Sequence, residues 1–543
     1  MLDAQQTIDA LVMEASAAPV KAQIRHWLDP ESLPTPGWRS GFLMPEMVLT
    51  WLLDAQAREA QAEVCDPLAR CLPLLEPDGA DLLVKALLEG FQKAGADVRD
   101  KFVLIPCAAL ASPGLLLTHF CPLVLRWARR RRGRLAAFAI DALGAAITAR
   151  PDARGPIFAL GALYPTLRDA QRRSLAEAIM GHLEAAAQAR RVAIGTLLDH
   201  ATPTINIQDQ RWRLSERPPL VEAMPVSPKG LRWWLEGEPV DAAPTTRGSS
   251  GHRARIKALS DQASATFEVI CTRLRDATLS GRVWSAGGFT AHMLHHPLRA
   301  CPARHMVWTA LDDRGQPVGT FRPREDGALI NVDDELFTTP HTWVRPAHPA
   351  RLDAEIVGLW QAHFEYHDLQ APFDQLGRPM ETCPSHLQRS RVYRGLDGIR
   401  WRDIHERPEA FAGGPWTSVL RMGWHVGWVR TLPGPSGAID VVVRTSEATD
   451  DVEWLYCLQH QPSAITHNDF PSPRRADDRS LIPLGDLPPA IYAEIMHDVQ
   501  RMFAVEQVSD GEPVAEGPEG AGGPGAVVPP ADRRPAHRQT CRS

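Results

Sequence analysis

Roughly the first 205 residues repeat one pattern: leucine and alanine at helical spacing, interrupted by proline, glycine or aspartate. This restricts that part of the chain to helices stacked on one another. In DLLVKALLEGFQKAGA, with Asp81 expected as N-cap, Leu83, Ala86, Leu87 and Phe91 fall on one face. RLAAFAIDALGAAITARPD repeats the arrangement with Leu135, Phe138, Ile140 and Ile147 and stops before Pro151. TLRDAQRRSLAEAIMGHLEAAAQA sets Leu175, Ile179 and Leu183 four apart, opposite a polar face. No repeat period survives counting from one helix pair to the next, so the expectation for 1–203 is an irregular, HEAT-like all-α array.

The chain has 543 residues, and single cores stop growing at roughly 250 to 300 residues, so further domains follow. From about 202 to 260 the texture changes. TINIQDQRWRLSERPPLVEAMPVSPKG has room for a short strand or two, and GEPVDAAPTTRGSSGHR reads as a solvated loop. SDQASATFEVICTRLRDATLSG is a helix with Phe267, Ile270 and Leu274 on one side and Gly281 as its C-cap. HMVWTALDDRGQPVGTFRPREDGALINVDDELF shows three alternating runs broken at DDRGQ and EDG, the punctuation of a β-meander. RLDAEIVGLWQAHFEYH is an amphipathic helix carrying Leu352, Ile356, Leu359, Trp360 and Phe364. HVGWVRTL, AIDVVVRT and EWLYCLQHQ read as strands, and GDLPPAIYAEIMHDVQRMF as a closing helix opened by Asp486. The mixture lacks a strict βαβ rhythm, so the fold class is α+β, with a domain over 204–505. Residues 506–543 offer almost no large apolar side chain to bury and are expected to be a disordered tail.

A net charge of −6 gives no global attraction to polyanions. The N-terminus lacks a basic leader with an apolar core, and no run reaches the roughly 18 apolar residues of a membrane span, so a cytoplasmic protein is expected. The nine cysteines are scattered, never C-x-x-C, and fit reduced thiols acting as buried filler, with Cys541 the exposed one.

TAHMLHHPLRACPARHMVW gathers His292, His296, Cys301 and His305 as two i, i+4 pairs, a spacing that suits tetrahedral zinc. Pro297 and Pro302 prevent one undistorted helix from carrying both pairs, and no glutamate supplies a general base as in H-E-x-x-H. The stretch is therefore expected to be a helix leading into the first meander strand, and no metal or cofactor is assigned. In REDGALINVDDE the spacing is not that of an EF-hand. Asp326-Gly327 is expected as a hairpin turn, with Glu325, Asp326, Asp333, Asp334 and Glu335 facing water. RWARRRRGR, Arg126 to Arg134, is a basic run expected at a helix C-terminus capped by Gly133. It has Trp127 as its only aromatic and no recognisable nucleic-acid-reading module. Neither G-x-S-x-G nor a phosphate-loop motif is present.

The order GRVWSAGGF, HHPLRACPARHMVWTALDDRG, TFRPREDGALINVDDE, VRPAHPARLDAEIVGLWQAHFEYHDLQAPFDQLGRPM, LRMGWHVG and LGDLPPAIYAEIMHDV resembles the bacterial domain-of-unknown-function family 4132. That family includes the molybdate metabolism regulators, or MolR-like proteins, and the likeness runs from about Thr204 to Phe503. Within the histidine stretch only His296-Pro297 and Val307-Trp308 fit the family pattern. Arg322, Glu325 and Asp326, and Gln375, Gly377 and Arg378 in FDQLGRPM, are the family-matching polar candidates. They serve either as loop-fixing ion pairs or as contacts to an anion or peptide. The resemblance implies a non-enzymatic scaffold or adaptor working through protein contacts, with a MoxR-type AAA+ ATPase or a von Willebrand factor A protein as partner. An enzyme with a pocket near Arg322 and Arg378 is the alternative, and a nucleic-acid-associated regulator the weaker one.

Overall fold

A computed structural model describes the chain outside residues 1, 19–24, 60, 77–79, 131, 151, 169–171, 204–206, 209–210, 214–220, 228–229, 241–249, 397–415, 422–423, 436, 446–451, 460–480 and 508–543. The tail with Cys541, and most of the loop expected before His252, lie outside the described residues.

The N-terminal part is helical: α1 (Leu2–Ala17), α2 (Glu46–Arg58), α3 (Asp66–Cys71), α4 (Asp81–Lys93), α5 (Leu104–Leu110), α6 (Pro113–Leu115), α7 (Cys121–Arg129), α8 (Gly133–Ala149), α9 (Arg154–Leu167), α10 (Arg173–Arg190) and α11 (Ile194–Ala201). α8 is the centre of this array, with Leu135, Ala136, Ala139, Ile140, Ala142, Leu143 and Ala146 all buried. A helix so rich in buried alanine lets its neighbours approach closely, and α5, α7, α9 and α10 pack on it. Two local expectations are corrected. Asp81 is the first helical residue rather than the cap, and its carboxylate accepts the Ser112 N–H (2.8 Å) and hydroxyl (2.6 Å). Gly133 opens α8 instead of closing α7, because α7 ends at Arg129 with Arg130 N–H on the Arg126 and Trp127 carbonyls. Trp127 is buried edge-on to Phe91 (6.1 Å), so the run's one aromatic ring belongs to the core of the array.

Three antiparallel sheets follow. The first runs β1 (Ile207–Gln208), β2 (Arg211–Arg213), β3 (Val221–Ser227), β4 (Gly230–Leu235) and β5 (Glu238–Val240) in chain order. The second contains β6 (Trp284–Ser285), β7 (Trp308–Leu311), β8 (Pro317–Pro323), β9 (Leu329–Ile330) and β10 (Trp343–Pro346), in the order β6-β10-β7-β8-β9. The expected meander is β7-β8-β9, and β10 extends it by pairing Val344 with Ala310. The third holds β11 (Val392–Tyr393), β12 (Thr417–Arg421), β13 (Trp424–Gly434), β14 (Gly437–Thr445) and β15 (Val452–Gln459), in the order β11-β15-β14-β13-β12. The architecture is thus α+β, helices first and antiparallel sheets after.

Helix α12 (Ser250–Ser280) joins the halves. It starts earlier than the sequence pattern indicates and ends as expected: Gly281 adopts φ +69°, and Arg282 N–H reaches back to the Ala277 carbonyl at 3.1 Å. Ala265 and Val269 pack on the array core, while Ala263, Ile270, Leu274 and Ala277 belong to the core of the second sheet. The remaining helices are α13 (Ala286–Phe289), α14 (Pro297–Arg304), α15 (Ala354–Tyr366) and α16 (Pro489–Gln507). On α15 the buried side chains are Val357, Trp360, His363 and Phe364, and Leu359 is exposed, so the buried face is rotated toward His363 relative to the sequence reading. No helix among the described residues is long and apolar enough to cross a membrane.

Candidate functional site

The family-matching polar residues fall into two neighbourhoods. Gln375 is fully buried: its Oε1 accepts Val307 N–H (2.9 Å), and its Nε2 donates to the carbonyls of Val307 (2.9 Å) and Ala347 (2.8 Å). These groups sit just before β7 and just after β10, so the amide side chain continues the strand ladder where the backbone ends it. Gly377 donates its N–H to Asp374 Oδ1 (2.9 Å), and a Cβ there would lie 2.4 Å from the same oxygen, so a larger residue would turn the exposed Asp374 carboxylate aside and weaken this contact. Arg378 donates from Nε to the Asp374 carbonyl (2.9 Å) and from Nη1 to Glu494 Oε2 on α16 (3.1 Å). Glu494 is buried, with Arg430 Nη2 at 3.7 Å and His348 Nε2 at 3.9 Å, too far for a hydrogen bond. Burial would raise the Glu494 carboxyl, but His348 and the Arg378 and Arg430 guanidiniums outweigh it and hold it below the usual range.

Arg322 points elsewhere. On β8 its Nε donates to His363 Nε2 at 2.7 Å, while His363 Nδ1 faces the Val332 carbonyl at 3.0 Å. The two contacts fix the tautomer: the ring proton is on Nδ1, and Nε2 carries the lone pair. Asp334 lies opposite, with Oδ1 at 3.9 Å from His363 Nε2 and Oδ2 at 2.9 Å from His367 Nε2. It is held at φ +63° by a turn in which Asn331 Oδ1 accepts the Asp333 (3.0 Å) and Glu335 (2.9 Å) N–H groups. Among the described residues, Asp334, His363 and His367 are the set whose metal-ligating atoms converge, all within 4.8 Å of one another. Glu325 and Asp326 are exposed on the hairpin, where Gly327 (φ +84°) makes the turn and Asp326 Oδ1 accepts Ala328 N–H at 3.0 Å. A hollow of about 370 Å³ opens beside the loop, lined by Thr320, Asn331, Val332, Glu335 and Phe337, and Arg322 and Arg378 are not in its wall.

The histidine-rich stretch is broken at His296, which is the N-cap of α14 and accepts Leu298 N–H on Nδ1 at 3.3 Å. Burial and Arg299 push its pKa down to about 4, leaving it neutral at physiological pH. His305 Nδ1 contacts the Cys301 carbonyl (2.8 Å), Cys301 is buried, and the His292 ring stands 4.9 Å from the His200 ring.

One constellation escaped the sequence reading. Asp199, buried near the end of α11, meets Arg273 of α12 (3.1 Å), Arg282, Arg299 of α14 (3.3 Å) and the Trp284 indole N–H (3.0 Å). The same arginines cap the end of α11: Arg273 donates to the Leu198 carbonyl and Arg299 to the Asp199 carbonyl, both at 3.0 Å. Burial opposes ionisation of Asp199, but the three guanidiniums and Trp284 prevail and hold its carboxyl at about 2. Burial also draws Arg273 down to about 10 and Arg299 to about 9. The desolvation of these arginines exceeds what one carboxylate offsets, so the network specifies how α11 docks more than it adds net stability. No local signal marks Asp199, whose partners lie 74 to 100 residues away. The pair His363 and His367 was visible in HFEYH as i, i+4, whereas Asp334 was grouped with the water-facing acids.

No curated protein and no solved structure matches the chain. Residues 237–397, which hold α12, the second sheet, α15 and the Gln375-to-Arg378 loop, match a family model, and this segment is a domain of unknown function of the DUF4132 family.

Proposed function

We propose that the chain is a MolR-like bacterial protein of the cytoplasm that works as a non-enzymatic adaptor, with a MoxR-type AAA+ ATPase or a von Willebrand factor A protein as partner. The observation that carries this reading is an apolar edge on the helical array. Phe42 (73% exposed), Leu43 (69%) and Met47 (45%) follow one another into α2, and Met13 (72%) lies one turn before Ser16, whose hydroxyl touches Met47 Sδ at 3.8 Å. Large apolar side chains grouped at a surface are a feature of contact sites. The commitment of Gln375 and Arg378 to internal bonds supports the same reading, because it gives those residues a structural use.

The test is affinity purification of the full chain from its cells of origin beside the Phe42→Ser, Leu43→Ser double variant. A stoichiometric partner recovered with the native chain and lost with the variant is the expected result. The chain recovered alone, or with the same proteins in both cases, would overturn the proposal.

A further inference from the structure

The turn 331–335 and helix α15 bring together three ligand groups that the adaptor reading does not use. We propose that His363 Nε2, His367 Nε2 and the Asp334 carboxylate form a binding site for a divalent transition-metal ion of the zinc class, with solvent completing the coordination.

Four features support this. A tetrahedral ion with bonds near 2.0–2.1 Å spaces its ligands by roughly 3.4 Å, and the existing separations of 2.9 Å and 3.9 Å from the Asp334 oxygens bracket that value. His363 and His367 stand four apart on α15, with ring centroids 4.5 Å apart, so one helix face supplies both imidazoles. The bond from His363 Nδ1 to the Val332 carbonyl is the outer-shell contact that orients a ligating imidazole and turns Nε2 inward. Val332 and Asp334 share one turn, so the segment that orients His363 also delivers the carboxylate. Finally, His363 is buried (3% exposed) while His367 (30%) and Asp334 (48%) reach solvent, which gives an ion a route in and leaves space for water on one side. Two imidazoles and one carboxylate favour zinc-class ions over calcium or magnesium, which prefer oxygen.

Arg322 is the element that must move. Its Nε donates to the lone pair the metal would take, and its positive charge opposes a second cation. Metal binding therefore displaces the guanidinium from His363, and the arginine acts as a placeholder that keeps Nε2 an acceptor in the metal-free chain.

The experiment is titration of the full-length chain with Zn²⁺ by calorimetry, with Co²⁺ as a spectroscopic substitute. His367→Ala and Asp334→Asn change solvent-reaching side chains. Native protein should bind one equivalent with a visible Co²⁺ band. Each variant should bind at least about tenfold more weakly, since removal of even an outer-shell partner costs roughly 10–100-fold. Arg322→Met should bind at least as tightly as the native chain. Equal affinity in native chain and variants would mean that zinc sits on other histidines, and it would overturn the proposal, as would absence of binding by the native chain. Weaker binding in Arg322→Met would overturn the assignment of His363 Nε2 as a ligand.

Discussion

Replacing Asp199 by asparagine removes the carboxylate that Arg273, Arg282 and Arg299 share while keeping nearly the same shape. The Arg273 and Arg299 side chains are 14% and 3% exposed, so water cannot take over the lost interaction fully. Breaking a buried ion pair from one side costs about 3–5 kcal/mol; the amide oxygen can still accept from Trp284, which places the loss near 3 kcal/mol. Chemical denaturation followed by circular dichroism reads this directly. A cycle with Arg282→Gln adds a second criterion: the double variant should be less destabilised than the sum of the singles by about 1–3 kcal/mol, because each change relieves part of what the other breaks. A loss below about 1 kcal/mol, or simple additivity, would refute the view that one carboxylate neutralises this junction.

The same carboxylate has an acid signature. Its folded value of about 2 lies below the usual 3.8, so its contribution is present above about pH 4 and is lost as pH falls toward 2. This amounts to about 2 kcal/mol, which Asp199→Asn should abolish in pH-dependent unfolding. Glu494→Gln leaves Arg378 and the more distant Arg430 without their shared buried charge and should lower stability by about 2–3 kcal/mol; a neutral result would contradict the view that this carboxylate holds the two guanidiniums. Gly427 has φ +148°, and a Cβ there would meet the Val443 carbonyl oxygen at 2.3 Å, so Gly427→Ala should cost about 2 kcal/mol or more in a melting experiment, and an unchanged transition would contradict that geometry.

Elements whose cause is local were legible in the sequence. The stripes of α8 and α10, the turn at Gly327 and the stop at Gly281 follow from periodicity and backbone freedom, and each stands where that reasoning set it. The break at His296-Pro297 was equally readable, because proline suits the first turn of α14 and not the interior of a longer helix. The Asp199 and Glu494 clusters were not readable, since each joins residues of different elements and no spacing rule links Asp199 to Arg299 or Arg378 to Glu494. Asp334 shows a subtler limit: it looked like one more solvated acid until the fold placed α15 beside its turn.

Helix α12 extends for about 46 Å at 1.5 Å per residue, with one flank in each core. The Arg168–Asp276 pair at 2.8 Å and the Arg273–Asp199 contact pin the rod to the array near its C-terminal end. The residues that hold the rod to the array and those that bury it against the second sheet thus lie on one stretch, Ala263 to Ala277, so both cores are fastened to the same turns of helix.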